Sequence, residues 1–545
     1  MHHLQHIAEL APVLERLGAT RVVIAPGSRN APLIQLFTGD KRFTCHSMVD
    51  ERSAAYMALG MARQIDAPVV VVTTSGTAVL NLSPAVAEAF HQQVPLVLLT
   101  ADRPLERVPQ FNNQVIDQRA PYFNHSKGFF EFPIQSRSPE ELQSDLNAVE
   151  ALFLEAVRLP RGPVHVNLPL EEPLYVSLPE PICFAVRQKD PGGEFQTGGE
   201  ALLSEADLAG KKVLILAGMG RGSDPLQKGL EDLLQRGQVA VVAENLSNLV
   251  SEQFISVPEL VLAGAGPEEL DALEPEVVVT FGLQMVSKRM KQLVNALKRA
   301  EIHVIPSEAP VREVLAALER ALGDRVQEAN RYQQSWLEVE QREVLRASAW
   351  LDSASFSNLL VVHRVLNRVP AGTVIHLGNS ATIRYSQLMR ARPGLSYFSN
   401  RGTSGIDGSV SAAAGAAMVS DALHLLLVGD LSFVYDSNAM WNKHFPENLK
   451  VVVLNDGGGG IFRLLDGPDQ MAFFEEYSVT HHPVSIELLS QSFGRSYHRV
   501  SGWSDLDAQL DILFAEGSRL SVLEVDTTSA ENSRIFKDLF RKRNT

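Results

Sequence analysis

The feature that most limits the fold of this chain is a recurring order of segments. A short apolar run, rich in β-branched residues, leads into a loop of small or polar residues and then into a helical stretch. In the first third, Arg21 to Ala25, Phe43 to Met48, Pro68 to Thr73 and Pro95 to Thr100 are such runs. They enter the loops Pro26-Gly27-Ser28-Arg29-Asn30, Asp50-Glu51-Arg52-Ser53, Thr74-Ser75-Gly76-Thr77 and Ala101-Asp102-Arg103-Pro104. Apart from Phe43 to Met48, which holds Thr44, His46 and Ser47, the runs are apolar blocks and do not alternate, so both faces of the sheet they form must be covered. That is the pattern of a parallel sheet between layers of helix. Gly162 to Leu168 is expected to be the last strand of this set.

The order repeats twice more. Lys212 to Ala217, Val239 to Ala243, Val277 to Phe281 and Glu301 to Ile305 form a second set; Thr373 to Leu377, His424 to Val428, Lys450 to Leu454 and Leu520 to Val525 form a third. A length of 545 residues suits about three domains of ordinary size. The expected fold is α/β, with three domains, each a mostly parallel sheet flanked by helices. They are placed at residues 1–180, 200–324 and 350–545. The connections are a stretch rich in proline, glycine and charge at 181–199 and a long charged helix within 325–349. The first and third sets share a pattern but no residue-level repeat.

A net charge of −15 argues against a nucleic-acid or anionic-membrane partner, which calls for a basic face. It also makes basic residues in strand-end loops more informative. Two cysteines, Cys45 and Cys183, are too few for a disulfide framework or a thiolate metal site. No apolar run reaches the roughly 18 residues of a membrane-spanning helix. Met1-His2-His3-Leu4-Gln5-His6 lacks the charged and apolar regions of a signal peptide. A cytoplasmic location is the expectation.

The stretch from Gly429 to Phe462 holds the first candidate site. Two apolar strands end on Gly429-Asp430-Leu431-Ser432 and on Asn455-Asp456, followed by Gly457 to Gly460 and Ile461-Phe462. Asp430 and Asp456 lie 26 positions apart (456 − 430), about one strand–helix–strand unit. Such a unit brings both acids to the carboxyl edge of one sheet, where ligands bind in α/β folds. Two hard oxygen donors beside glycine backbone suit a divalent cation and a diphosphate. The plainer reading is two loop aspartates beside helix starts.

Glu51 follows a strand and opens a helix, where the helix dipole favours a carboxylate. Arg29, Arg103, Arg384 and Arg401 also follow strands, as do Lys288 and Arg289 after Phe281. Arginine grips carboxylates with two parallel hydrogen bonds, so this collection points to a substrate with several carboxylates. The alternative is that each arginine pairs with a neighbouring acid. Gly218-Met219-Gly220-Arg221-Gly222 departs from the dinucleotide fingerprint in spacing and lacks a matching ribose acid. Ser28, Ser75, Ser380 and Ser404 lie in no G-x-S-x-G elbow, which excludes a serine hydrolase of that kind.

The pair Gly429-Asp430 and Asn455-Asp456 resembles the thiamine-diphosphate motif. Ala25 to Arg29, Asp50 to Arg52, Thr74 to Thr77, Leu99 to Pro104, Gly378 to Ser380 with Arg384, and Ser399 to Gly408 narrow the resemblance. Together they resemble the 2-succinyl-5-enolpyruvyl-6-hydroxy-3-cyclohexene-1-carboxylate (SEPHCHC) synthases of menaquinone biosynthesis, a thiamine-diphosphate-dependent family of transferases. The match spans the chain and is thin in the middle third, where Ser287-Lys288-Arg289 carries it.

The resemblance implies a pyrimidine-binding first domain, a central domain and a diphosphate-binding third domain. It implies thiamine diphosphate held by Glu51, Thr74, Ser75, Gly76, Ile406, Gly429, Asp430, Leu431, Ser432, Asp456, Gly457, Gly458 and Ile461. Mg²⁺, or Mn²⁺ in its place, would bind Asp430, Asp456 and the carbonyl of Gly458 (Gly457 if the loop is one residue short). Glu51 would hydrogen-bond the aminopyrimidine and favour its imino tautomer, and Ile406 would be the apolar wedge beneath the bent cofactor. The implied reaction joins 2-oxoglutarate to isochorismate with loss of CO₂. Arg384 and Arg401 resemble the residues that hold the succinyl carboxylate. Ser28, Arg29, Arg103, Gln114, Lys288 and Ser380 resemble isochorismate contacts, with Phe462 and Leu465 lining the pocket. A homodimer or homotetramer with sites shared between subunits is implied, with no nucleic acid and no membrane insertion. Two residues depart from the general motif: Leu431 replaces a usual Gly and Asp456 a usual Asn. The alternatives are another thiamine-diphosphate 2-oxoacid enzyme, such as an acetolactate synthase, and a non-catalytic diphosphate-binding regulator.

Overall fold

The computed structural model describes residues 2–104, 114–119, 121–134, 138–182, 208, 210–307, 309–323, 330–465 and 467–541. Cys183, most of the expected 181–199 connection and residues 325–329 lie outside these. Among the described residues there are three sheets, and every strand pair with a described register is parallel.

The first sheet contains β1 (Arg21–Ile24), β2 (Thr44–Ser47), β3 (Val69–Thr73), β4 (Leu96–Asp102), β5 (Phe129–Glu131) and β6 (Val164–Pro169), in the order β2-β1-β3-β4-β6-β5. The second contains β7 (Val213–Ala217), β8 (Val239–Ala243), β9 (Val277–Phe281) and β10 (Glu301–Val304), in the order β10-β9-β7-β8. The third contains β11 (Val374–Leu377), β12 (Ser396–Phe398), β13 (His424–Gly429), β14 (Leu449–Asn455), β15 (Tyr497–Val500) and β16 (Val522–Asp526), in the order β12-β11-β13-β14-β16-β15. The first and third orders are the same once renumbered, although no residue repeat connects them.

The inner strands β3, β4 and β7 and the edge strand β8 are buried along their whole length and, apart from Thr73, Thr100 and Asp102, apolar. In the second sheet, Val213, Ile215 and Ala217 join one core, while Leu214 and Leu216 join another on the opposite face. The period of two along a strand sends successive side chains to opposite sides. The charged helix expected to bridge toward the third sheet runs from Arg331 to Ser353. Its Tyr332, Trp336 and Val339 complete the second core, so it is part of that layer as well as a connection.

The contacts divide the chain into two compact units. One comprises Met1–Gly193, Asn400–Ala422 and Ser432–Leu449; the other comprises Glu194–Ser399, Leu423–Leu431 and Lys450–Thr545. In the first unit, the alanine-rich helix Glu51–Ile65 lies against the helix Ser409–Ala417. Their backbones touch: a Cβ on Gly60 would lie 1.9 Å from the Ala412 carbonyl oxygen, and one on Gly415 would lie 2.0 Å from that of Met57. No helix among the described residues is long and apolar enough to cross a membrane.

Candidate thiamine-diphosphate and metal site

In both six-stranded sheets the strand order reverses between the first and third strands. The carboxyl-end loops beside such a reversal form the usual ligand crevice of an open α/β sheet. In the first sheet these are the loops after β1 and β3, which carry Ser28, Arg29 and Thr74 to Gly76. In the third they follow β11 and β13, and carry Ser380, Arg384 and Gly429 to Ser432.

Within the second unit, β13 and β14 are neighbours, so Asp430 and Asp456 leave the same sheet edge. Asp430 is 1% exposed. Burial pushes the Asp456 carboxyl up to about 7, and the charge of Asp430 adds to that push. His482 Nε2 lies 3.1 Å from Asp430 Oδ2, and Asn532 donates to Asp456 at 3.3 Å. The carboxylate of Asp430 raises the His482 imidazole above its usual value.

A buried Asp430 beside a half-buried Asp456, whose proton affinity that neighbouring charge raises, forms a donor set that a hard cation would relieve. The glycines fit as well. A Cβ on Gly429 would meet nothing within 4 Å, which leaves open space over that backbone. At Gly460 a Cβ would lie 2.2 Å from Asp456 Oδ2, so this loop must be glycine for the acid to sit where it does. The Gly458 carbonyl accepts from Gly460 N (3.0 Å), and the Gly457 carbonyl lies 2.9 Å from His481 Nδ1. Ile461 and Phe462 follow in a short 3₁₀ turn, Gly460–Leu464, with Phe462 exposed and Leu465 just beyond.

In the first unit, Glu51 is the first residue of its helix and is half-buried. Asp50 caps that helix by accepting from Ser53 N at 3.0 Å, and Asn438 donates to the other Asp50 oxygen. Arg52 donates to the Tyr435 carbonyl at 2.7 Å. Glu51 is therefore fixed from both sides. Thr74 is buried with its hydroxyl unpaired, Ser75 and Gln114 bond each other reciprocally at 3.0 and 3.1 Å, and Gly76 N donates to Gln118 at 2.9 Å. Ile406 is 39% exposed, while Ser432 Oγ donates to its carbonyl at 2.5 Å.

The basic residues divide. Arg29 is buried and bonds the Leu170 carbonyl (3.0 Å) and Glu172 (3.3 Å), so here it pairs within its own chain. Arg289 likewise pairs with Glu259 at 3.3 Å. Lys288 is exposed at a helix start, and Arg103 has a buried Nε without a partner. Arg384 donates to the Ser380 carbonyl at 2.5 Å; Ser380 has a φ of +75° and precedes the helix Ala381–Ser386. Ser28 sits 3.1 Å from the Tyr175 hydroxyl. In the loop after β7, Cβ atoms on Gly218 and Gly222 would strike the carbonyl oxygens of Leu283 and Asn248, so the packing of their own chain requires these two glycines.

His482, Asn532 and Asn438 escaped sequence reasoning, because each acts on a residue far away in the chain. Glu88 escaped too, although it left a signal: an acid on the apolar stripe Ala85, Val86, Ala89.

Comparison with known proteins agrees with this geometry. A family described as thiamine pyrophosphate enzyme, N-terminal TPP binding domain, matches residues 7–120; the corresponding C-terminal TPP binding domain matches residues 378–525. A SEPHCHC synthase of Desulfotalea psychrophila is 37% identical over 517 residues, covering 92% of this chain and 94% of the relative. Those of Flavobacterium johnsoniae (33%, 96% of each chain) and Bacteroides fragilis (32%, 99% of each chain) are similar over nearly their whole lengths.

Proposed function

From the family to which this chain belongs, the thiamine-diphosphate-dependent SEPHCHC synthases of menaquinone biosynthesis, we propose the following division of labour in a reaction that joins 2-oxoglutarate, with loss of CO₂, to isochorismate. The observation that carries it is the pair of buried Asp430 and half-buried Asp456 at adjacent strand ends beside the open backbone of Gly429. Bound thiamine diphosphate supplies the carbanion chemistry, while the protein supplies binding, orientation and charge. Asp430, Asp456 and a carbonyl of Gly457 or Gly458 would hold Mg²⁺ or Mn²⁺ and, through it, the diphosphate. Gly429, Leu431, Ser432 and Ile461 would line that end.

Glu51 would hold and return a proton at the aminopyrimidine, with Thr74, Ser75 and Gly76 beside the ring and Ile406 beneath it. Arg384 and Arg401 would grip the carboxylate of 2-oxoglutarate. Ser28, Arg29, Arg103, Gln114, Lys288 and Ser380 would bind isochorismate, and Phe462 and Leu465 would exclude water. Arg29 must exchange its bond to Glu172 for one to substrate. Residues 1–180, 200–324 and 350–545 would be the pyrimidine-binding, central and diphosphate-binding domains, in a cytoplasmic homodimer or homotetramer. The two substrates are dianions, which accounts for basic side chains in the strand-end loops of an acidic chain.

The test is turnover of the purified protein with thiamine diphosphate and Mg²⁺. Release of CO₂ from 2-oxoglutarate, and formation of the succinylated adduct when isochorismate is added, is the expected result. Release from pyruvate but not from 2-oxoglutarate would point instead to an acetolactate-synthase-like enzyme.

A further inference from the structure

We infer that Glu88 is a positioning residue of this reaction: its buried carboxylate fixes the loop Asn400 to Asp407 and thereby sets where Arg401 stands. The inference rests on the reading of Arg401 as a carboxylate-binding residue.

Glu88 lies in the helix Ser83–Gln92 and is 1% exposed. A carboxylate at such depth persists only if donors replace the water it has lost. Four donors do so. Oε1 accepts from Gly402 N at 2.7 Å and from the Gln92 amide; Oε2 accepts from Thr403 N at 2.6 Å and from Thr403 Oγ1 at 2.5 Å. Two consecutive backbone N–H groups aimed at one anion form a nest, which fixes the peptide planes of the loop. Two of the four donors are the backbone of Gly402 and Thr403, immediately after Arg401. The close approach requires glycine, because a Cβ on Gly402 would lie 2.8 Å from the Glu88 carbonyl oxygen.

The far end of the loop has its own anchors. Tyr56 donates to Asp407 at 2.8 Å, Asn400 donates to the Gly408 carbonyl at 3.1 Å, and Ser432 holds the carbonyl of Ile406. The Tyr56 and Ser432 anchors bear on the Ile406 end, whereas Glu88 bears on the Arg401 end. The oxygens of Glu88 are spent on these donors, so it acts through Arg401 and not on substrate. A guanidinium grips a carboxylate well only when its fork is aligned. Loosening its backbone should therefore weaken substrate binding before it slows the chemistry.

The experiment compares E88Q, T403V and R401A. In E88Q the shape remains, but an amide N–H now faces a backbone or side-chain donor. E88Q is expected to raise KM for 2-oxoglutarate roughly 5- to 50-fold, the worth of one or two buried hydrogen bonds to a charged group. Its kcat and its dissociation constant for thiamine diphosphate should stay within about threefold, inside the scatter of a substitution that leaves those contacts alone. Amide exchange at residues 401–404 should speed up while residues 406–408 and the rest of the first unit are unchanged. If E88Q does not fold, T403V, which removes one hydroxyl bond, should show the same pattern at roughly 2- to 5-fold. If R401A leaves KM for 2-oxoglutarate unchanged, the reading of Arg401 fails. If R401A raises it while E88Q (or T403V in its place) does not, the positioning role of Glu88 is overturned. A fall in kcat with KM unchanged overturns it as well.

Discussion

Substituting Gly60 by alanine tests whether the helix that presents Glu51 is held by direct contact of two backbones. The new Cβ would sit 1.9 Å from the Ala412 carbonyl oxygen, 2.7 Å from its carbon and 2.9 Å from its Cα, all backbone atoms with nowhere to turn. Real Cβ contacts essentially never fall under 3.0 Å, so the helices Glu51–Ile65 and Ser409–Ala417 must part by at least about an ångström. Alanine gains roughly 0.5–1 kcal/mol of helix propensity over glycine. Overpacking costs about 1–3 kcal/mol, and the separated helices also lose dispersion contacts along their seam. The net expectation is a loss of about 1–3 kcal/mol. Gly39→Ala is the control: that glycine ends a helix with nothing within 4 Å of its Cβ position, so alanine should be neutral or stabilising. Gly415→Ala, which meets the Met57 carbonyl from the other side, should cost a similar amount alone. Combined with Gly60→Ala it should cost less than the sum, because the first substitution has already opened the seam. Urea unfolding followed by circular dichroism reads the four variants against the parent. If Gly60→Ala is as stable as the parent or as Gly39→Ala, the two backbones do not meet as described. A loss of activity larger than the loss of stability is expected too, since Glu51 opens the displaced helix.

Glu51→Gln should bind thiamine diphosphate almost normally yet lose roughly 10²–10⁴-fold in kcat, the usual worth of a positioned acid or base; near-normal turnover would refute the proton role. Acid sensitivity should arise in part from His165, which is fully buried between Tyr122 and Phe129 and held down to about 3 by desolvation. The Thr100 hydroxyl donates to Asn167, so it accepts from His165 Nε2, and Nδ1 faces no partner that could take a proton's hydrogen bond. Below the unfolded value of 6.5 the unfolded chain takes up a proton that the folded chain refuses, so stability falls as pH falls. Between pH 8 and pH 5 this amounts to about 2 kcal/mol. His165→Phe should flatten that part of the curve; an unchanged slope in urea titrations at the two pH values would show that the proton is accommodated.

Much of the architecture was legible because buried parallel strands are written as apolar blocks. Val69–Thr73, Val213–Ala217 and Val239–Ala243 fall within a residue of where the apolar runs place them. The strands that escaped, Phe129–Glu131, Ser396–Phe398 and Tyr497–Val500, are three or four residues long and lie at sheet edges. There a strand has one neighbour and need not be apolar on both faces. The same division holds in the site. Asp430 and Asp456 are visible because they end strands. The groups that tune them are not: His482 reaches Asp430 across 52 residues and Asn532 reaches Asp456 across 76; nor is Glu88, which reaches Gly402 across 314. Arg29 shows the opposite case, since nothing local foretold that the Leu170 carbonyl and Glu172 engage it in this structure.

The common strand order of the first and third sheets bears on descent. Two six-stranded sheets wired alike, with no surviving residue correspondence, look like copies of one ancestral unit whose letters have drifted while its wiring stayed. What is inherited in such a case is a crevice, because the reversal of strand order produces it whatever side chains surround it. Each copy could then be refitted separately, one with hydroxyls and a loop glycine after its third strand, the other with an acid at the same place. Thiamine-diphosphate binding by the two matched parts of the chain would then be older than the chemistry now performed there.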